Sequence, residues 1–287
     1  HTACGRSAPC QGATHTACGG DLKWAASIKG FDDTFAPQVT ASKNAVYMYG
    51  RVEQSLEFDD NTETTTMSGG NNIGIVKFSA DGKFQWAKIF GGDGDEEAPG
   101  AVAANGGIYV AMQFEDKTDI GGKSLTSQGK RDIALFKLGA DGKVAWVKSI
   151  AGEEEQREPS LVATDSGDIV LQGITQKCID LDGDGTGDVG DEKEDGLGRP
   201  LESVFVAVFD ADGTPKNVAR IAGSQGHGPD PRLADVDTSG HLLSVGGQFN
   251  GFVDVDKDGE TDLKNYYDKM ASLGRAGFIV TYDLSGS

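Results

Sequence analysis

The chain repeats itself, and that limits its fold more than any other property. Ile73–Trp86 and Ile133–Trp146 align through a shared Ala-Asp-Gly-Lys, Val204–Thr214 joins them through Ala-Asp-Gly, and Phe278–Gly286 supplies a fourth copy ending in Ser-Gly. Each copy is an apolar run, a turn closing on glycine, and the start of a second run; Asp-Gly between two β-rich runs is a strong short-range hairpin signal. The turn glycines are Gly82, Gly142, Gly213 and Gly286, at spacings of 60, 71 and 73 residues. A second hairpin precedes each copy. Its later strands are Ala45–Tyr49, Ile108–Met112, Asp168–Gln172 and His241–Val245, each following a turn rich in Asn, Gly or Ser. No helical period of useful length competes with these short runs.

Four short strands per repeat with glycine-rich turns predict an all-β fold, a β-propeller of four blades with four antiparallel strands, a to d, in each. The abundance of glycine, 42 residues against 8 prolines, fits a chain of many tight turns. The fourth repeat reaches only its c–d turn, while Leu22–Ile28 reads as a d strand without a blade, matching Phe84–Ile89 and Val144–Ile150. The N-terminal strand is therefore expected to join the last blade and close the ring, removing two open sheet edges. A piece of a larger propeller, or a half-ring closed by a second chain, is the alternative. Trp24, Trp86 and Trp146 share one repeat position and are expected to pack between blades rather than to stack on sugars. The propeller is expected over residues 21–287, after a cysteine-containing segment over 1–20.

Two stretches read D-x-D-x-D-G-x-x-D: Asp180, Asp182, Asp184, Gly185 and Asp188, then Asp254, Asp256, Asp258, Gly259 and Asp262. Ca²⁺ takes six to eight hard oxygens, and alternate residues of a tight loop can aim carboxylates at one point. Glycine at the sixth place permits the turn, the seventh place offers a backbone carbonyl (Thr186 or Glu260), and the ninth an aspartate. The helices of an EF-hand are missing, as is the bidentate glutamate at place twelve, where Asp191 and Asn265 stand. Two Ca²⁺ sites carried on strands are expected, with Asp191 as a further candidate ligand. Both lie between strands b and c, on the face that also carries the long acidic d–a connections, and function is expected there.

With 45 acidic and 26 basic side chains, a formal charge of −19, the chain repels phosphate backbones and excludes nucleic acid as a natural partner. No apolar run approaches the length of a membrane-spanning helix. The start at His1 reads as a processed product. Cys4, Cys10, Cys18 and Cys178 have no C-x-x-C spacing, which argues against a zinc or redox site. Beside calcium-type loops they point to an oxidising compartment; of the three possible pairings, Cys4–Cys10 with Cys18–Cys178 is expected.

The segment Trp86–Gly92, the strand Ile108–Val110, Ile120–Ser127, Asp132–Lys137 and Ala140–Trp146 together resemble the bacterial SBBP-type β-propeller repeat. The resemblance covers about residues 22–287 and is strongest in the second repeat. It implies a propeller and a secreted or cell-surface location, and no catalytic residues. The third and fourth repeats depart from it by inserting the calcium loops. The functional expectation is a calcium-stabilised binding or assembly module that meets a protein, a glycan or another copy of itself. The alternatives are a propeller hydrolase or lyase drawing on Asp93, Asp95, Glu96, Glu97, Glu153, Glu154 and Glu155, and a calcium-dependent glycan binder.

Overall fold

The computed structural model describes residues 22–34, 36–58, 61–64, 70–190, 194, 198, 200, 202–223, 232–239, 242–249, 252–255, 262–264 and 276–283. These are all-β, with no helix among them. In chain order the strands are β1 (Lys29–Phe31), β2 (Gln38–Ala41), β3 (Ala45–Phe58), β4 (Asn61–Thr64), β5 (Asn72–Ser79), β6 (Phe84–Gly92), β7 (Glu96–Ala104), β8 (Gly107–Phe114), β9 (Lys117–Ile120), β10 (Lys123–Thr126), β11 (Asp132–Leu138) and β12 (Val144–Gly152). They continue with β13 (Gln156–Ala163), β14 (Ile169–Gln176), β15 (Ile179–Asp180), β16 (Glu202–Phe209), β17 (Pro215–Gly223), β18 (Arg232–Ser239), β19 (Leu242–Phe249), β20 (Phe252–Asp254), β21 (Leu263–Lys264) and β22 (Ala276–Asp283).

The repeats of the sequence are repeats of structure. Three antiparallel sheets run β2-β3-β5-β6, β7-β8-β11-β12 and β13-β14-β16-β17, and a fourth runs β18-β19-β22. The c–d turns are superimposable in their bonding: Gly82, Gly142 and Gly213 donate to Ser79, Gly139 and Asp210 at 2.9, 3.0 and 3.0 Å. All three glycines have φ between 77 and 86°, a left-handed backbone that side chains resist. The strands behind the turns are apolar because both faces are covered: β5, β11 and β16 are almost wholly buried.

One cluster fills the space between the first and second sheets (Tyr47, Ile75, Met112, Phe136), a second lies between the second and third (Tyr109, Leu135, Leu171, Phe205), and a third between the third and fourth (Val170, Val206, Val245, Phe278). The tryptophans sit between sheets, as expected, and each is also a latch. Trp86 Nε1 donates to the Ala140 carbonyl at 3.1 Å and Trp146 Nε1 to that of Ala211 at 3.3 Å, so each outer strand grips the c–d turn of the next sheet. Lys77 and Lys137 reinforce the same carbonyls at 2.6 and 3.3 Å, over the rings of Tyr47 and Tyr109. Each neutral bond of this kind stabilises by about 1 kcal/mol.

A second seam was not foreseen in the sequence. The end of each outer strand pairs with a short strand from the b–c connection of the following repeat: β6 with β9, β12 with β15, β17 with β20. The hairpin of β9 and β10 turns on Gly121 and Gly122, both at positive φ, the two-residue turn that suits twisted strands.

The N-terminal segment differs from expectation. Residues 22–28 form no strand, and among the described residues β22 pairs only with β19. The segment instead lies on the first sheet, where Trp24, Ile28 and Phe31 cover Val52, Leu56 and Phe78. Trp24 Nε1 donates to the Ala80 carbonyl at 3.1 Å, and its ring stacks on Gly82, as Trp86 does on Gly142. The segment ends in β1, which pairs with the far end of β3. A Cβ on Gly30 would stand 1.8 Å from the Ser55 carbonyl oxygen, and one on Gly92 equally far from that of Lys117. Residues 24–30 thus hold, against the first sheet, the place that each outer strand holds against the sheet after it. Residues 1–20 lie outside the described residues, and with them Cys4, Cys10 and Cys18, so the expected Cys4–Cys10 bridge and the Cys18 half of Cys18–Cys178 fall outside too; Cys178 itself lies between β14 and β15.

Candidate metal-binding loops

The loop after β15 is built for oxygen ligands. Ile179 pairs with Val189 and closes its base. Leu181 and Val189, the second and tenth places, are buried in the core between the second and third sheets. The charged places between them are thereby held outside. Asp180 accepts N–H bonds from Asp182, Gly183 and Gly185 at 3.1, 2.6 and 2.8 Å. Gly183 and Gly185 both adopt positive φ to make this wrap possible. Burial pushes the Asp180 carboxyl up, but the N–H groups of Gly183, Gly185 and their neighbours outweigh it and hold the group below its ordinary value. Asp188 Oδ2 accepts from Leu181 N at 2.7 Å.

The result brings carboxylate oxygens of Asp180, Asp182 and Asp188 within 4.8 Å of one another. Three like charges so close repel, and a divalent cation relieves that repulsion. Asp184 stands outside this trio; its Oδ1 accepts from Thr186 N at 2.7 Å. Asp191 lies outside the described residues.

The second loop repeats the frame. Val253 pairs with Leu263 at its base, as Ile179 does with Val189. Val255 and Leu263 pack on the core between the third and fourth sheets, and Val255 N donates to Asp262 Oδ2 at 2.8 Å. Asp254 ends β20, while Asp256, Asp258 and Glu260 lie outside the described residues. The apolar second and tenth places were missed in the sequence reading; their signal is the alternation hidden inside each acidic motif.

The acidic d–a connections are drawn into ion pairs. Arg131 meets Glu97 at 3.3 Å, Glu115, and Glu155 at 4.0 Å; Lys130 meets Glu154 and Lys177 meets Glu153. Asp95 Oδ1 accepts from Asn71 N at 2.8 Å. One repeat further, the pair of Glu97 and Arg131 reappears with its signs exchanged, as Arg157 and Glu202 at 2.5 Å. A cavity of 270 Å³ between β2, β3 and β7 is lined by Gln38, Tyr49, Arg51, Glu97 and Pro99. Among the described residues of the lining the carboxylate is Glu97, which is shared between Arg51 and Arg131.

No family model matches the chain, and no curated protein matches it. Among solved structures, the chain is similar to a mutant of the GH43 protein BlXynB from Bacillus licheniformis. The identity is 13% and the TM-score 0.36, over 83% of this chain and 42% of that one. The chain therefore spans less than half of that protein's length.

Proposed function

We propose that this chain is an extracellular, calcium-binding β-propeller of four blades that acts as a binding or assembly module at a bacterial surface, with a protein, a glycan or a second copy as partner. The observation that carries the reading is the convergence of Asp180, Asp182 and Asp188 on one point, in a frame that recurs at Asp262. The donor set is all oxygen and strongly anionic, which suits Ca²⁺ over softer ions. Asp180, Asp182 and Asp188 would hold the first ion, with Asp184, the Thr186 carbonyl and Asp191 as the other candidates. Asp254, Asp256, Asp258, Glu260 and Asp262 would hold the second. Each ion would tie a b–c loop to the seam between two blades, since β15 and β20 are also the strands that pair across it.

Ring closure is supported by residues 24–30, which already dock on the first sheet as an outer strand should. In the closed ring the same segment is the fourth strand of the last blade, beside β22, whose Ile279 is 75% exposed. The resemblance to SBBP-type repeats agrees with an exported propeller.

Calorimetric titration with Ca²⁺ tests the metal reading. Two sites are expected, one lost in Asp182→Ala and the other in Asp256→Ala. At a free calcium a thousandfold above the dissociation constant, each site adds about 4 kcal/mol to stability. Absence of binding would overturn the reading.

A further inference from the structure

The junction between the first and second sheets contains three buried oxygens with no hydrogen-bond partner: Asn72 Oδ1, Glu96 Oε1 and Thr118 Oγ1. Asn72 and Glu96 are fully buried, and Thr118 is 1% exposed. Buried polar atoms are nearly always satisfied, so three orphans in one place require an explanation. They are neighbours. A Cβ on Gly91 would lie 2.0 Å from Asn72 Oδ1 and 2.7 Å from Glu96 Oε2, so the two side chains converge there. Glu96 Oε2 accepts from Gly92 N at 3.1 Å, and Asn72 Nδ2 is spent on the carbonyls of Glu53 and Gly70. The acceptor end of Asn72 is therefore the end left facing the carboxyl.

The next junction shows what this place requires. Gln156 stands where Glu96 stands: each donates its backbone N–H to the residue before the c strand, Glu96 to Asn71 at 3.0 Å and Gln156 to Arg131 at 2.8 Å. Asp132 likewise stands where Asn72 stands. With its amide turned to satisfy both atoms, Gln156 Nε2 donates to the Arg131 carbonyl and to Asp132 Oδ1. A permanent donor at the start of strand a thus meets an acceptor at the start of strand c. In the first junction the acceptor is the amide oxygen of Asn72, and the residue that must donate is a glutamate.

We propose that Glu96 resides in the fold as a neutral carboxylic acid, donating its proton to Asn72 Oδ1 as Gln156 donates to Asp132, and that its ionisation loosens the seam between the first two sheets as pH rises. The Thr118 hydroxyl can donate to the free carboxyl oxygen in either charge state, which leaves Asn72 Oδ1 as the acceptor that only a protonated Glu96 satisfies. The surroundings agree. Burial raises the Glu96 carboxyl from 4.5 to about 7; the Thr118 hydroxyl and Gly92 N–H oppose this only in part, and the carboxylates of Asp95 and Asp93 add to it.

The group is raised in the fold, so the folded state holds a proton that the unfolded chain has lost, and stability falls as pH rises. The window runs from about 4.5 to about 7. Urea denaturation across this range, in chelator, compares the protein with Glu96→Gln. Relative to the variant, the protein is expected to lose up to about tenfold in its folded-to-unfolded ratio per pH unit, and the difference levels off above the window. Equal slopes would overturn the proposal. Should the variant not fold, the protein labelled with ¹³C-carboxyl glutamate decides: one glutamate titrating near pH 7 supports the neutral acid, and titration of every glutamate below about 5.5 contradicts it.

Discussion

A chain beginning at Asp32 is expected to lose about 3–5 kcal/mol of stability, read as a lower urea midpoint. The truncation removes Trp24, Ile28 and Phe31, which cover the outer face of the first sheet. Each is half-buried, and full burial of such a side chain is worth about 1.5–3 kcal/mol. It also strips the Trp24 bond to Ala80 and exposes Val52, Leu56 and Phe78, all now buried. If the ring closes through this segment, the last blade loses a strand as well, and the loss moves to the upper end of the range or beyond. An unchanged midpoint would make the segment an ornament of the first sheet.

Phe136→Ala is expected to cost about 3–5 kcal/mol. Phe136 is 0% exposed, lies in the core between the first and second sheets, and meets the ring of Phe90 with centroids 5.2 Å apart. Its surroundings are strands pinned by ladders on both sides, β8 and β12, so the wall cannot collapse into the space left behind. Phe136→Leu, which keeps most of the volume, is expected to cost less than half as much. A small loss for the alanine variant would mean that the two sheets are not packed as one body.

Much of the fold was legible because its period is written in residues that obey local rules. Gly82, Gly142 and Gly213 sit at left-handed turn positions, and the runs before them alternate or are wholly apolar as buried strands must be. The seam strands were not legible. Ile179–Asp180 and Phe252–Asp254 are two and three residues long, and their partners lie in another repeat, so no local pattern announces them. The acidic motifs revealed candidate ligands but hid their anchors, Leu181 with Val189 and Val255 with Leu263. Leu22–Ile28 has the residues of an outer strand, yet it forms no ladder among the described residues; its docking on the first sheet through Trp24 depends only on the turn at Gly82, which recurs at Gly142 and Gly213. The junction pairs were hidden for another reason. Glu97 with Arg131 becomes Arg157 with Glu202, and Asn72 with Glu96 becomes Asp132 with Gln156. Read position by position, exchanged partners look like an absence of pattern; read as contacts, they are the same interaction.

Closure of the ring is tested most directly by amide hydrogen exchange along β22, followed residue by residue. The amides that face β19 are paired in any case. In the closed ring those that face away pair with residues 22–28, the fourth strand of the last blade. Protection of both sets, comparable to that of the central strand β8, is the expected result. Rapid exchange of the outward set beside slow exchange of the inward one would leave β22 an open edge and contradict the closed four-bladed ring.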